Sequence, residues 1–149
     1  SQFADWVEHA WNIVKIEGGY YHLDAYFNDP NVEDGRALPR YNYLNVTDSD
    51  ITSDHDWDRN KYPVCNNVEF NYYHVNGKVV ENKEQFIDRL VKAIEKYERE
   101  ILLKVTDYYE EDFMDISNII FNTNIVESYG IDHNYGMGVI WIYDLEYIS

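Results

Sequence analysis

The stretch from His9 to Asp24, H-A-W-N-I-V-K-I-E-G-G-Y-Y-H-L-D, constrains this chain more than any other. Two apolar, β-favouring runs, Ala10 to Ile16 and Tyr20 to Phe27, flank Glu17-Gly18-Gly19, which has the composition of a tight turn. An antiparallel hairpin is predicted. A histidine opens the first strand and an aspartate follows fifteen residues later on the second. Whether they meet depends on register. A turn centred between Ile16 and Glu17, with Gly18 taking the positive φ of a bulge, sets His9 opposite Asp24. Their Cβ atoms are then roughly 5 Å apart, and the carboxylate can accept from an imidazole N–H. A turn centred on the two glycines offsets the pair by four residues, about 13 Å along the strand, and no hydrogen bond forms.

A histidine held by an aspartate is two thirds of a Cys-His-Asp machine. The carboxylate fixes the tautomer and steadies the imidazolium, and the imidazole takes the proton of a thiol to make the nucleophile. The surrounding letters, H-A-W-N-I-V-K-I-x-G-x-Y-Y-H-x-D followed by Asp29-Pro30, resemble the His and Asp motifs of the bacterial transglutaminase-like superfamily, papain-related thiol enzymes. The resemblance runs from about residue 6 to 65 and includes Tyr-Leu-Asn-Val-Thr-Asp from Tyr43, Asp54-His55-Asp56-Trp57 and Tyr62-Pro63. The tail after the aspartate, Ala25 to Pro30, is a looser match. The resemblance implies His9 as general base and then acid, Asp24 as its orienter, and Trp11 as a wall of the substrate site. It also implies that His55 and Trp57 pack near the active-site face. In that family the nucleophilic cysteine lies upstream of the histidine in a Gly-x-Cys-x-Gly-like helix start, and the eight residues before His9 contain none.

The expectation is therefore the C-terminal part of a longer protein, inactive as this chain, whose parent is a cysteine-dependent protease or protein-glutamine acyltransferase acting on protein or peptide. Nothing in the residues decides between water and an amine as acceptor. The alternative is a non-catalytic binding or assembly module on the same fold. The resemblance implies a secreted or cell-surface parent, while the residues themselves leave the compartment open. No cofactor and no metal are expected.

Net charge is −16, from 28 acidic and 12 basic residues. A polyanion is repelled by such a surface, so nucleic acid and anionic membranes are poor partners. No apolar run approaches the roughly eighteen residues of a membrane span, so no membrane insertion is expected. The single cysteine excludes an internal disulfide. A 45% apolar and 17% aromatic content, with fifteen tyrosines, describes a folded chain whose tyrosines sit at core boundaries and contact surfaces.

Residues 28 to 40 carry turn signals and read as a loop. Thr47 with Asp50 three residues on resembles a capping box before a short helix. Asp48, Asp50, Asp54, Asp56 and Asp58 with His55 form an acidic knot that lacks a calcium-loop pattern and reads as solvated. Cys65, with no helix start or cation beside it, reads as a buried, inert thiol. His22, His74 and His133 read as structural or exposed, and Asn12 points away from the His9 face.

Further on, Val68 to Val75, Asn76-Gly77 and Lys78 to Val80 predict a second hairpin. Asn82 caps a helix to about Glu100 with Phe86, Leu90, Ala93 and Tyr97 on its stripe. Ile101 to Thr106 reads as a strand, Asp107 as the cap of a helix carrying Phe113, Ile116, Ile119 and Ile120, and Gly138 to Ile148 as a last strand.

The expected class is α+β. Residues 1–66 form the antiparallel hairpin (His/Asp) half of a transglutaminase-like, papain-like core, and residues 67–149 a small α/β sandwich packed against it without a linker. Trp6, Trp11, Ile13 and Leu23 would lack a covering helix, so a homo-oligomer is expected.

Overall fold

A computed structural model describes residues 9–25 and 43–149. The tail before His9, the Asn28 to Arg40 loop and the Asp29-Pro30 match lie outside the described residues.

The protein is α+β. Strands β1 (Asn12–Ile16) and β2 (Gly19–Leu23) form the expected antiparallel hairpin. Helix α1 (Asp48–Ile51) starts on the capping box: the Thr47 side chain accepts from Asp50 N–H, and the Asp50 carboxylate accepts from Thr47 N–H. Helices α2 (Tyr72–Val75) and α3 (Lys83–Glu95) follow, separated by β3 (Val79–Val80). Strand β4 (Ile101–Val105), a 3-10 turn (Glu110–Phe113), helix α4 (Ile116–Asn122), and strands β5 (Val126–Asn134) and β6 (Val139–Tyr147) complete the order.

The four-stranded sheet runs β3-β4-β6-β5. β3 and β4 are parallel, joined by the α3 crossover, and the other two pairings are antiparallel. β4 is buried at all five positions, the pattern of a strand covered on both faces. Its side chains alternate between two cores. Ile101, Leu103 and Val105 meet Ile140 and Ile142 of β6, Phe86, Leu90 and Ile94 of α3, and Ile116 and Ile120 of α4. On the opposite face, Leu102 joins Val139 and Met137 against Tyr43, Val46, Ile51 and Tyr73, with Trp11 and Trp57 at the margin. The second core therefore spans the expected 66/67 boundary. Lys104 faces this side as well, buried, with its ammonium 2.6 Å from Asp50 Oδ1 and 3.0 Å from the Met137 carbonyl.

Three sequence expectations are corrected. The second hairpin is instead α2: the Asn71 side chain caps Tyr73 N–H, and Gly77 (φ 65) follows the last turn, with Lys78 N–H reaching back to the Tyr73 carbonyl. A positive-φ glycine suits a helix stop as well as a hairpin turn. α3 begins at its Asn82 cap as expected but stops at Glu95, because Tyr97 adopts a left-handed φ of 59 and Glu98 N–H closes on the Ala93 carbonyl. The segment expected as one Asp107-capped helix is a 3-10 turn followed by α4, whose cap position is Asp115. β5 has no counterpart among the expected strands, and His133 lies on it.

Candidate active site

The site grows from one face of the hairpin. Ile16 pairs with Gly19 and Asn12 with Leu23, so the turn is Glu17-Gly18, with φ of 48 and 88. Two positive φ values make a type I′ turn, whose twist suits the strands. This register lies between the two considered from sequence. Neither the directly opposed pairing of His9 with Asp24 nor the four-residue offset occurs. Continued outward, the ladder sets Asp24 beside Trp11, with His9 as the diagonal neighbour, a distance a long side chain can bridge. His9 precedes the first paired residue of β1, so the ladder does not fix its backbone.

His9 Nε2 and Asp24 Oδ2 are 2.5 Å apart. Asp24 is buried and His9 half-buried. The segment 43–46 runs antiparallel beside β2: His22 and Val46 exchange backbone hydrogen bonds, and Asp24 N–H donates to the Tyr43 carbonyl. The aspartate is thus held through its own main chain.

A second imidazole converges on the same oxygen. His55 Nε2 lies 2.6 Å from Asp24 Oδ2, and its Nδ1 lies 2.6 Å from Asp54 Oδ1. Tyr43 O–H donates to the other Asp54 oxygen. Burial is the largest single influence on the His55 pKa and lowers it, but the hydrogen bonds and charges of Asp54 and Asp24 together outweigh it, and the net shift is upward. Burial, then the Asp54 contact, raises the Tyr43 pKa, so its hydroxyl remains a donor.

A parallel arrangement lies alongside. Trp11 Nε1–H donates to His22 Nδ1 at 3.1 Å, and His22 Nε2 is 2.6 Å from Asp48 Oδ1. Indole is a donor only, so Nδ1 accepts and the His22 proton sits on Nε2, facing the carboxylate. Burial lowers the His22 pKa more than Asp48 raises it, which agrees with a neutral ring. Trp11 is the pivot of the aromatic packing. It stacks on His9 (centroids 6.0 Å) and meets His55 (4.6 Å) and Trp57 (5.9 Å) edge to face.

Beside His9 opens a cleft of about 590 Å³, walled by Trp11 and Tyr20 of the hairpin and by Trp57, Asp58 and Tyr62 of the segment after α1. That volume suits a peptide side chain or small ligand. His9 and Trp11 face it together.

The other singled-out residues scatter. The acidic knot does not converge: Asp48 serves His22, Asp50 serves Lys104, and Asp54 serves Tyr43 and His55. Cys65 is fully buried, with its thiol directed at the Pro63 carbonyl; burial first, then Asp48, pushes it up to about 11. A thiol so placed is a poor nucleophile. Asn12 is exposed. Sequence reading missed Asp54, Tyr43 and the second His-Asp pair. For His55 the signals were its position inside Asp54-His55-Asp56 and the resemblance, which set it near the active-site face.

Among the described residues two groups bring three metal-type ligands together, His9/Asp24/His55 and His22/Asp48/Cys65. In the first, nitrogen–oxygen gaps of 2.5 and 2.6 Å are the span of a shared proton. Atoms bound tetrahedrally to zinc stand about 3.3 Å apart. In the second, a neutral imidazole ligating through Nε2 would carry its proton on Nδ1, against the Trp11 N–H. The first set is spaced for shared protons, and the second holds the His22 proton on Nε2, toward Asp48. No protein-family model matches this chain, and no curated protein is similar to it.

Proposed function

We propose that this chain carries the His/Asp half of a thiol acyl-transfer site on a transglutaminase-like fold. The observation that supports it most is the 2.5 Å contact between His9 Nε2 and buried Asp24 at the edge of an aromatic cleft. With Nε2 donating to Asp24, the proton exchanged with a thiol or leaving group passes through Nδ1. His9 acts first as base and then as acid, and Asp24 holds the tautomer and balances the imidazolium. Trp11 walls the cleft and screens the pair from water.

The chain's own thiol does not complete the site. Cys65 is buried and poorly ionised, and a nucleophilic cysteine from a longer form of the protein is part of the proposal. The chain by itself is then inactive, and the parent is a cysteine-dependent protease or protein-glutamine acyltransferase acting on protein or peptide. Self-association of the chain belongs to the same reading: Trp11, Ile13 and Leu23 are only partly covered, and light scattering at micromolar concentration should show a dimer or larger. A monodisperse monomer would remove that part.

The test is to incubate the protein at its natural length with casein and a fluorescent primary amine, with and without iodoacetamide. Amine incorporation or casein cleavage that alkylation abolishes is the expected result, and the product tells amine from water as acceptor. Activity that persists after alkylation contradicts a thiol mechanism.

A further inference from the structure

The acid–base reading needs His9 and Asp24 alone, and leaves His55 unused although its ring touches both sides of the pair. The three imidazole–carboxylate contacts, His9 to Asp24, His55 to Asp24 and His55 to Asp54, measure 2.5, 2.6 and 2.6 Å. Each needs one proton between nitrogen and oxygen, because two lone pairs at that distance repel. Tyr43 supplies the proton of its own bond to Asp54 and none of these three. With ionised carboxylates the three protons lie on nitrogen: one on His9 Nε2 and two on His55.

We propose that His55 is a positioning residue for Asp24, a doubly protonated buried imidazolium that clamps Oδ2 and so fixes the neutral form of His9 as the Nε2–H tautomer. The inference rests on the acid–base reading of His9 and Asp24 for its catalytic meaning. The clamp is built from both sides. Asp54, held by Tyr43, takes Nδ1–H and orients the ring; the ring's edge contact with Trp11 (centroids 4.6 Å) limits its rotation. The charged and titratable groups around His55 are Asp24 from the hairpin, Asp54 from its own segment, Tyr43 from the adjoining strand-like segment, His9, and His22. Two anions and no fixed cation contact the ring among the described residues. A carboxylate shared by two donors cannot rotate toward one without losing the other. Asp24 therefore presents a single orientation to His9, and the exchangeable position is directed to Nδ1.

The experiment uses this chain with ¹⁵N-labelled histidine and long-range ¹H–¹⁵N correlation at pH 8. His55 should show both ring nitrogens protonated, His22 the neutral Nε2–H pattern, and the neutral form of His9 the Nε2–H tautomer. In Asp54→Asn, which keeps the size of a side chain a third exposed, His55 should lose its second proton and His9 should show mixed tautomers. His55→Gln should mix the His9 tautomers in the same way. The Trp11–His22 and His22–Asp48 bonds use neither Asp24 nor Asp54, and a variant that keeps the His22 pattern is folded. If His55→Gln does not fold, Asp54→Asn decides. A neutral His55 at pH 8 in the unmodified chain, or a His9 pattern untouched in a folded variant, overturns the clamp. These signals need no nucleophile, so a parent without acyl-transfer activity would refute the acid–base reading while leaving the clamp, and a neutral His55 would do the reverse.

Discussion

Asp24 is the residue on which the site turns, because one buried oxygen serves two imidazoles. Removing it takes the buried carboxylate away from both imidazoles that face it. Asp24→Ala should cost about 3–5 kcal/mol, the range for breaking a buried charge pair from one side, read from urea denaturation. His55 gives that stability a pH dependence. Its folded pKa is raised, so the stabilisation is fully present below the ordinary histidine value near 6.5 and is lost as pH rises through the higher folded value. The stability gap between the unmodified chain and His55→Gln should therefore narrow on the alkaline side, and a gap that widens there would contradict a charged His55. His22 works in the opposite sense. Its pKa is lowered, so its share is present above the unfolded value and fades as pH falls. Tyr21 offers a simpler case: it is fully buried and its hydroxyl has no partner among the described residues. Tyr21→Phe should be neutral or stabilising by about 1 kcal/mol, since it removes an unsatisfied donor.

At the scale of elements, the hairpin positions the pair, and its turn carries a cost. Glu17 adopts a left-handed φ of 48, where side chains other than Asn, Asp and Gly are disfavoured. Glu17→Asn should raise stability by about 0.5–1 kcal/mol without moving the His9–Asp24 contact, and a destabilised variant would argue against the type I′ turn. The hairpin was legible because two β-favouring runs flank a glycine turn. Its register was not, because Glu17 at a positive φ is a choice no composition rule makes. The Thr47-Asp50 box and the Asn82 cap were equally legible, since a cap needs only residues three apart. Asn76-Gly77 misled because the same backbone φ ends a helix or reverses a strand. β5 was invisible for another reason: its V-E-S-Y-G-I-D-H-N run alternates poorly and carries two register shifts. Gly130 accommodates one of them, with the Tyr143 ring lying where a β-carbon would sit. His55 was the hardest to read. Its partner Asp24 is thirty-one residues away, and only the tertiary fold brings the two together.

For the molecule as a whole, the sheet is the common wall of two cores, so the hairpin side and the helix side are not independent. Leu102 and Val139 point from the sheet into the cluster that holds Tyr43 and Ile51, and buried Lys104 reaches across to Asp50 at the start of α1. That ion pair ties the segment bearing Asp54 and His55 to the central strand. Lys104→Ala should cost about 2–4 kcal/mol by leaving the half-buried Asp50 carboxylate without its cation. The unmodified chain should melt in a single transition whether followed by tryptophan fluorescence, which reports the hairpin side, or by far-ultraviolet circular dichroism. Two separated transitions would mean that the shared core does not couple the halves.

The proposed acyl transfer depends on His9 acting with Asp24. The most direct measurement is kcat/KM for casein or a glutamine-containing peptide, on the protein at its natural length, for the unmodified form, His9→Ala and Asp24→Asn. Losses on the order of a thousandfold or more for His9→Ala, and of similar scale for Asp24→Asn, are what a base and its orienter predict. Activity within a few fold of the unmodified protein in a folded His9→Ala variant would contradict it.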